Sequence, residues 1–470
     1  MALRIVSITV TVAAAALVAG SVLAPAAAHA GPPPAAIGAA GAGDPYFPLQ
    51  GNGGYDVAHY DLSIHYLPAT KQLSGHATIT ATSTQALARF DLDLRANLHA
   101  SAVTVNGAAA TFSQPPARVQ ELVITPAQQL PAGQTFTVAV DYAGTATPAI
   151  DPDGSLDGFI PTSDGAFVAS EPQGSPTWFP VNDTPRDKAT YAVSVTVPAG
   201  LTAVSNGRLV SHRTAGGSAT WSWQIGQPIS SYLVTATIGV FDVTTGRTAG
   251  GVPYFIAVDP AVARRAAPVL ARLPEIVDYY SSVYGRYPFG QAGAIVDNAR
   301  FVGYALETAT RPVFDRAPDI STLAHELAHQ WYGDTVTLSR WRDIWLNEGF
   351  AEFSAWLWDE HTGGQTTGQH LADLLADSDP GWYLPPPGNP GAPDEIFAGS
   401  VYDRGAATLA ALRVKLGDPT FFRIMRGWLR AHRFGNATVE DFIAYAQQVS
   451  PVPLAHFFRD WLYAMHKPSL

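Results

Sequence analysis

From Tyr55 to about residue 243, apolar and polar residues alternate with a period near two. The stretches YDLSIHY, HATITATST, FTVAVDY, YAVSVTV, ATWSWQI and SYLVTATIGVF predict strands. Asn106-Gly107, Asp153-Gly154 and Asn206-Gly207 supply the turn chemistry between them. After Val252-Pro253-Tyr254 the period lengthens towards 3.6. Helices are predicted within 261–285, 319–333, 343–364, 403–418, 419–435, 438–450 and 453–466, several opening on Asp or Thr and closing on Gly. The pattern breaks around GRTAGGVPY, so the expected units are an antiparallel β-rich domain over 49–248 and a mostly helical domain over 249–470. The fold class is α+β, multidomain.

The N-terminus follows neither pattern. Residues 1–30 carry one cation at Arg4, an apolar run and the small-x-small site Ala28-His29-Ala30, which is the order of a cleavable secretory signal. Cleavage after Ala30 would send the chain out of the cell, with no membrane span left. An uncleaved anchor is the alternative, since the apolar run approaches spanning length. Residues 31–48, rich in Pro, Ala and Gly, read as a flexible linker.

Composition narrows the chemistry. At 470 residues the chain is long for one core. A net charge of -11, without a Lys/Arg cluster, argues against nucleic acid as a partner. With no cysteine, thiol nucleophiles and thiolate metal sites are excluded, and any metal must be held by His, Asp or Glu. Oligomeric state is not legible.

HELAHQWYG, starting at His325, places His325 and His329 one helical turn apart. Leu323, Leu327 and Trp331 give this helix an apolar stripe, and buried imidazoles need a partner. A metal serves both. Glu326 leans over the same site as the base for a metal-activated water, the logic of H-E-x-x-H. Catalytic zinc takes three protein ligands. The following stretch offers Asp343, Glu348, Glu352 and Asp359. Glu348, 19 residues after His329, is the natural third ligand, and Glu352, one turn on, suits a ring N–H of a ligand histidine.

H-E-x-x-H followed by N-E-G-F-A resembles the gluzincin aminopeptidases of the M1 family. The resemblance extends to 171–207, to YDVAHYDLSIHY and to VYDRGAATLAAL, and so covers roughly residues 50 to 465. It implies a thermolysin-like catalytic domain with one Zn2+ per chain, bound by His325, His329 and Glu348. It also implies Glu326 as catalytic base and Tyr402 as donor to the oxyanion. The family's exopeptidase motif falls on Tyr304-Ala305-Leu306-Glu307-Thr308. There Glu307, with Glu171, would bind the free amine of a peptide substrate, and Ala305 would lie along it.

Three of those five positions depart from the family's pattern: Tyr304, Leu306 and Thr308. Leu306 conserves volume, Tyr304 adds bulk, and Thr308 replaces an amide by a hydroxyl. They keep open an alternative, a zinc endopeptidase or other hydrolase with relaxed N-terminal recognition. The larger relatives carry a further helical domain that roofs the site. This sequence stops at Leu470, so a short form with a more open cleft is expected. DPDGSLDG (151–158) reads as a turn, without the distal glutamate of a calcium loop. His361 and His370 are expected to be solvated around a polar loop.

Overall fold

The computed structural model describes residues 36–116 and 120–470, and these fall in a single compact unit. The signal expected at 1–30 lies outside the described residues.

The β-rich half is built on an eight-stranded sheet. Its middle strands are Lys188–Pro198, Tyr55–Leu67, Gln72–Ser83 and Thr135–Thr145. Every pairing in it is antiparallel except Tyr55–Leu67 with Lys188–Pro198, which run parallel. The first strand explains its own pattern. Tyr55 and Val57 point inward at odd positions, whereas Tyr60, Leu62, Ile64 and Tyr66 do so at even ones. A register shift between Val57 and His59 accounts for the change of phase: one extra residue flips every later side chain to the other face. Smaller sheets complete this half, one of them ordering Ala149–Ile150, Leu156–Pro161, Ala166–Ala169, Ala236–Gly239 and Thr202–Ser205.

The boundary expected at 248/249 falls inside a β-hairpin. Strands Asp242–Arg247 and Pro253–Val258 pair antiparallel, and the second continues in parallel with Ala292–Val296. Val313–Phe314 and the edge strand Ala305–Leu306 finish this five-stranded sheet. The Gly-rich break in composition is the hairpin turn, and the sheet that carries the exopeptidase-like residues begins before it.

The helices, named in chain order, are α1 (Pro260–Leu270), α2 (Leu273–Tyr284), α3 (Ile320–Ala328), α4 (Trp345–His361), α5 (Thr367–Ala376), α6 (Gly399–Leu416), α7 (Asp418–Ala431), α8 (Val439–Val449) and α9 (Ala455–Tyr463). The single helix expected over 261–285 is two, because Pro274 near the start of α2 cannot donate into a continuous ladder. The polar loop expected around His370 contains α5, opened by a capping box between Thr366 and Gln369. His361 is exposed, with its ring stacked on Tyr279, whereas His370 is half-buried against Trp356.

The expected linker also differs. Residues 36–48 lie against the body of the protein. Gly38 donates to the Arg89 carbonyl, the Asp44 carboxylate accepts from the Trp341 N–H at 2.8 Å, and the Tyr46 hydroxyl donates to Asn389. Backbone and side-chain hydrogen bonds, which composition does not register, hold this segment. No helix among the described residues is long and apolar enough to cross a membrane.

Candidate metal centre and active site

Asp319 caps α3 by accepting from the Thr322 N–H. Leu323 and Leu327 are wholly buried, as the stripe requires. This turns His325 and Glu326 inward. The helix ends at Ala328, and His329 closes it in helical conformation. The His329 Nδ1–H donates to the Tyr332 carbonyl at 3.0 Å, which leaves Nε2 facing the site. Gly333 permits the approach: its φ is +120°, and a Cβ there would stand 3.0 Å from Nδ1.

Helix α4 brings Glu348 across. Its Oε2 lies 3.1 Å from His325 Nε2 and 3.4 Å from His329 Nε2. Single donor atoms of His325, His329 and Glu348 all fall within 4.8 Å of one another, and all three residues are buried. Glu352, one turn later, takes the other side of His325: Oε2 sits 3.1 Å from Nδ1, while its Oε1 accepts from Trp356 Nε1–H at 2.8 Å. Both imidazoles are thus oriented by an outer partner and aim their remaining nitrogens at one point.

This set suits a zinc ion. Two imidazoles and a carboxylate converge, and three further buried carboxylate oxygens lack any donor among the described residues: Glu326 Oε2, Glu307 Oε1 and Glu171 Oε1. Carboxylate oxygens buried without a donor favour a cation beside them. Without metal, the imidazoles take that role through their protons. Burial would lower His325 and His329, but their carboxylate neighbours outweigh it and raise both. Burial would raise Glu348, but His329 and His325 hold it down at about 2. A metal ion needs both imidazoles neutral, so binding it expels protons. Burial pushes Glu326 up to about 7. Burial also raises Glu171 well above the usual range, with Glu307 and Glu348 adding to it.

Tyr402 enters from the first turns of α6, its ring 5.8 Å from that of His325. Burial, then the carboxylates of Glu348 and Glu171, keep its phenol protonated and able to donate. α6 reaches α4 through glycines: a Cβ built on Gly349 would lie 2.9 Å from the Gly405 Cα.

A cavity of about 470 Å³ opens onto these groups, within the range of small-molecule sites. Glu171, Ala305, Glu307, His325, Glu326, His329, Glu348 and Tyr402 all line it. The structure thus brings these sequence candidates into one cavity, with Glu352 standing just behind them. Sequence reasoning missed the turn 153–155 and Phe397, which also line the cavity. The turn was legible as a turn, but nothing local says that it packs beside a site 150 residues on. Of the altered motif residues, Leu306 is buried, and Thr308 donates its hydroxyl to the Arg311 carbonyl, back into its own loop.

Fold and site together point to one peptidase family. The Peptidase M1 N-terminal domain matches residues 57–233 and the Peptidase family M1 domain matches 305–461. The chain belongs to peptidase family M1. It is 29% identical to Aminopeptidase M1 of Arabidopsis thaliana over 323 residues, 63% of this chain and 36% of that protein. To Aminopeptidase M1-B of Oryza sativa subsp. japonica it is 26% identical over 444 residues, 86% of this chain and 49% of that one. The chain thus spans a third to a half of the length of these relatives. An M1 zinc metallopeptidase from Deinococcus radiodurans, solved with a Tyr-Ser-Ala substrate, superposes with a TM-score of 0.84 at 29% identity, covering 92% of this chain and 99% of that chain.

Proposed function

We propose that the chain is a zinc aminopeptidase that removes single residues from the free N-terminus of peptides. The observation that carries this reading is the pair of buried, donor-less oxygens on Glu171 and Glu307, in the same cavity as His325, His329 and Glu348. Two carboxylates beside a metal site suit a substrate ammonium and fix the scission point one residue in. The names of the relatives from Arabidopsis and rice support it.

His325 and His329 through Nε2, with Glu348 through Oε2, would hold one zinc ion. When bound, zinc supplies Lewis acidity towards the scissile carbonyl and the attacking water. Glu326 takes the water proton and returns it to the leaving amine, a task suited to a carboxylate near neutral pKa. Tyr402 donates to the oxygen on which charge develops. Glu171 and Glu307 hold the ammonium and align the peptide. Glu352 keeps His325 in the tautomer that offers Nε2.

Leucine anilide and its N-acetylated form, given to the zinc-loaded protein, test the assignment. The free amine is expected to be cleaved about 100-fold or more faster, since blocking it strands two buried carboxylates without a partner. Equal rates, or preference for the blocked substrate, would point to an endopeptidase and overturn it.

A further inference from the structure

Tyr304 and the turn at 151–155 lie far apart in sequence and meet at the active-site cavity. The Tyr304 hydroxyl donates to the Leu156 carbonyl at 2.7 Å, and both Tyr304 and residues 153–155 line the cavity. The bulk that departs from the family's motif thus tethers the edge strand Ala305–Leu306 to the turn.

The turn is held firmly. Asp151 accepts from the Gly154 N–H and donates its own N–H to the Ser155 carbonyl. Gln173, two residues after Glu171, secures it from behind: its side-chain amide donates to Asp151 at 2.8 Å and its backbone N–H to Asp157 at 3.0 Å. Within the turn, Asp153 Oδ1 accepts both the N–H and the hydroxyl of Ser155. Its Oδ2 has no protein donor among the described residues. Asp153 is exposed, unlike Asp151 and Asp157 behind it. Burial raises those two, Asp151 to about 6, whereas Asp153 faces solvent at the cavity.

The charge around the cavity is one-sided. Asp153, Glu171, Glu307, Glu326 and Glu348 line it, and no Lys or Arg does among the described residues. Asp153 is the member of this acidic set that faces solvent, at the mouth of the cavity, while the four glutamates are buried.

We propose that Asp153, held at the cavity by the Tyr304–Leu156 hydrogen bond, makes the enzyme selective for peptides whose N-terminal residue bears a cationic side chain, lysine or arginine. The proposal rests on the aminopeptidase reading. Lysine and arginine carry their charge on long stems that extend along a cavity wall. An acidic side chain meets repulsion instead.

The test compares kcat/KM for arginine, lysine, leucine and glutamate anilides on the zinc-loaded full chain, its Asp153→Asn variant and its Tyr304→Phe variant. The wild type is expected to rank arginine and lysine above leucine and leucine above glutamate, with the spread shrinking as salt rises. In Asp153→Asn the arginine-to-glutamate ratio should fall by roughly five- to tenfold, leucine hydrolysis reporting that the variant is folded. Tyr304→Phe should move the ratio the same way but less, because the turn loses its tether and keeps its charge. An unchanged ratio in Asp153→Asn with leucine still hydrolysed overturns the proposal, as does a wild type that favours glutamate. Failure to cleave any free-amine anilide removes the aminopeptidase reading itself, a result distinct from loss of charge preference alone.

Discussion

Small residues and outer partners set the positions of the reactive ones. Gly333 lets the Tyr332 carbonyl close on His329, and Glu352, itself held by Trp356, orients His325. Burial sets charge states elsewhere too. Asp297, which follows the strand Ala292–Val296, is almost wholly buried; its Oδ1 accepts from the Asn298 N–H, and its Oδ2 has no donor among the described residues. Burial raises it to about 7. A carboxyl raised in the folded state binds its proton more tightly there than in the unfolded chain. Its stabilising contribution is therefore complete below the unfolded value near 3.8 and is lost as pH rises through 7. Asp297→Asn, which cannot ionise, should gain stability relative to the wild type between pH 5 and pH 8.5, by ~1–4 kcal/mol. Denaturant unfolding of both proteins at the two pH values checks this, and a constant difference between them would show that Asp297 does not titrate in that window.

Among the elements, α4 and α6 carry Glu348 and Tyr402, and they approach as closely as Gly349 and Gly405 allow. Replacing Gly405 by alanine puts a Cβ 2.6 Å from the Trp345 ring and 2.8 Å from the Gly349 Cα, so the helices must separate. Overpacking of this kind costs ~1–3 kcal/mol. Gly405→Ala is expected to lower the Tm and also reduce kcat, because Tyr402 shifts relative to Glu348. A variant as stable and active as wild type would mean that this contact does not set the spacing. The two glycines read in sequence only as weak helix formers; their use depends on which helix lies opposite. Helix α3, with its two histidines, was legible because its stripe, cap and histidine spacing are all local. α5 was not, since its capping box lies behind two glycines in a polar stretch. The hairpin over 242–258 was hidden because its turn looks like a linker, and pairing with Ala292–Val296 is a long-range fact.

For the whole molecule, the site draws on distant segments: Glu171 from the β-rich half, Glu307 beside a sheet edge, the imidazoles from the end of α3, Glu348 from α4 and Tyr402 from α6. Spacing and resemblance made the candidates legible one by one. Their shared cavity, and the turn at 153–155 that joins them, depend on how the sheets fold over one another. Residues 36–50 belong to the same assembly. Gln50 donates to the Pro172 carbonyl next to Glu171 and accepts from Trp341 Nε1–H just ahead of α4, so this segment ties both sides of the cavity. The central claim is that His325, His329 and Glu348 hold the one metal ion on which turnover depends. Metal analysis of purified protein tests it most directly. One equivalent of zinc is predicted in the wild type and in Glu326→Gln, the latter with turnover reduced by roughly 10²–10⁴-fold, and little zinc in His329→Ala. A full equivalent of zinc in an active His329→Ala would contradict it.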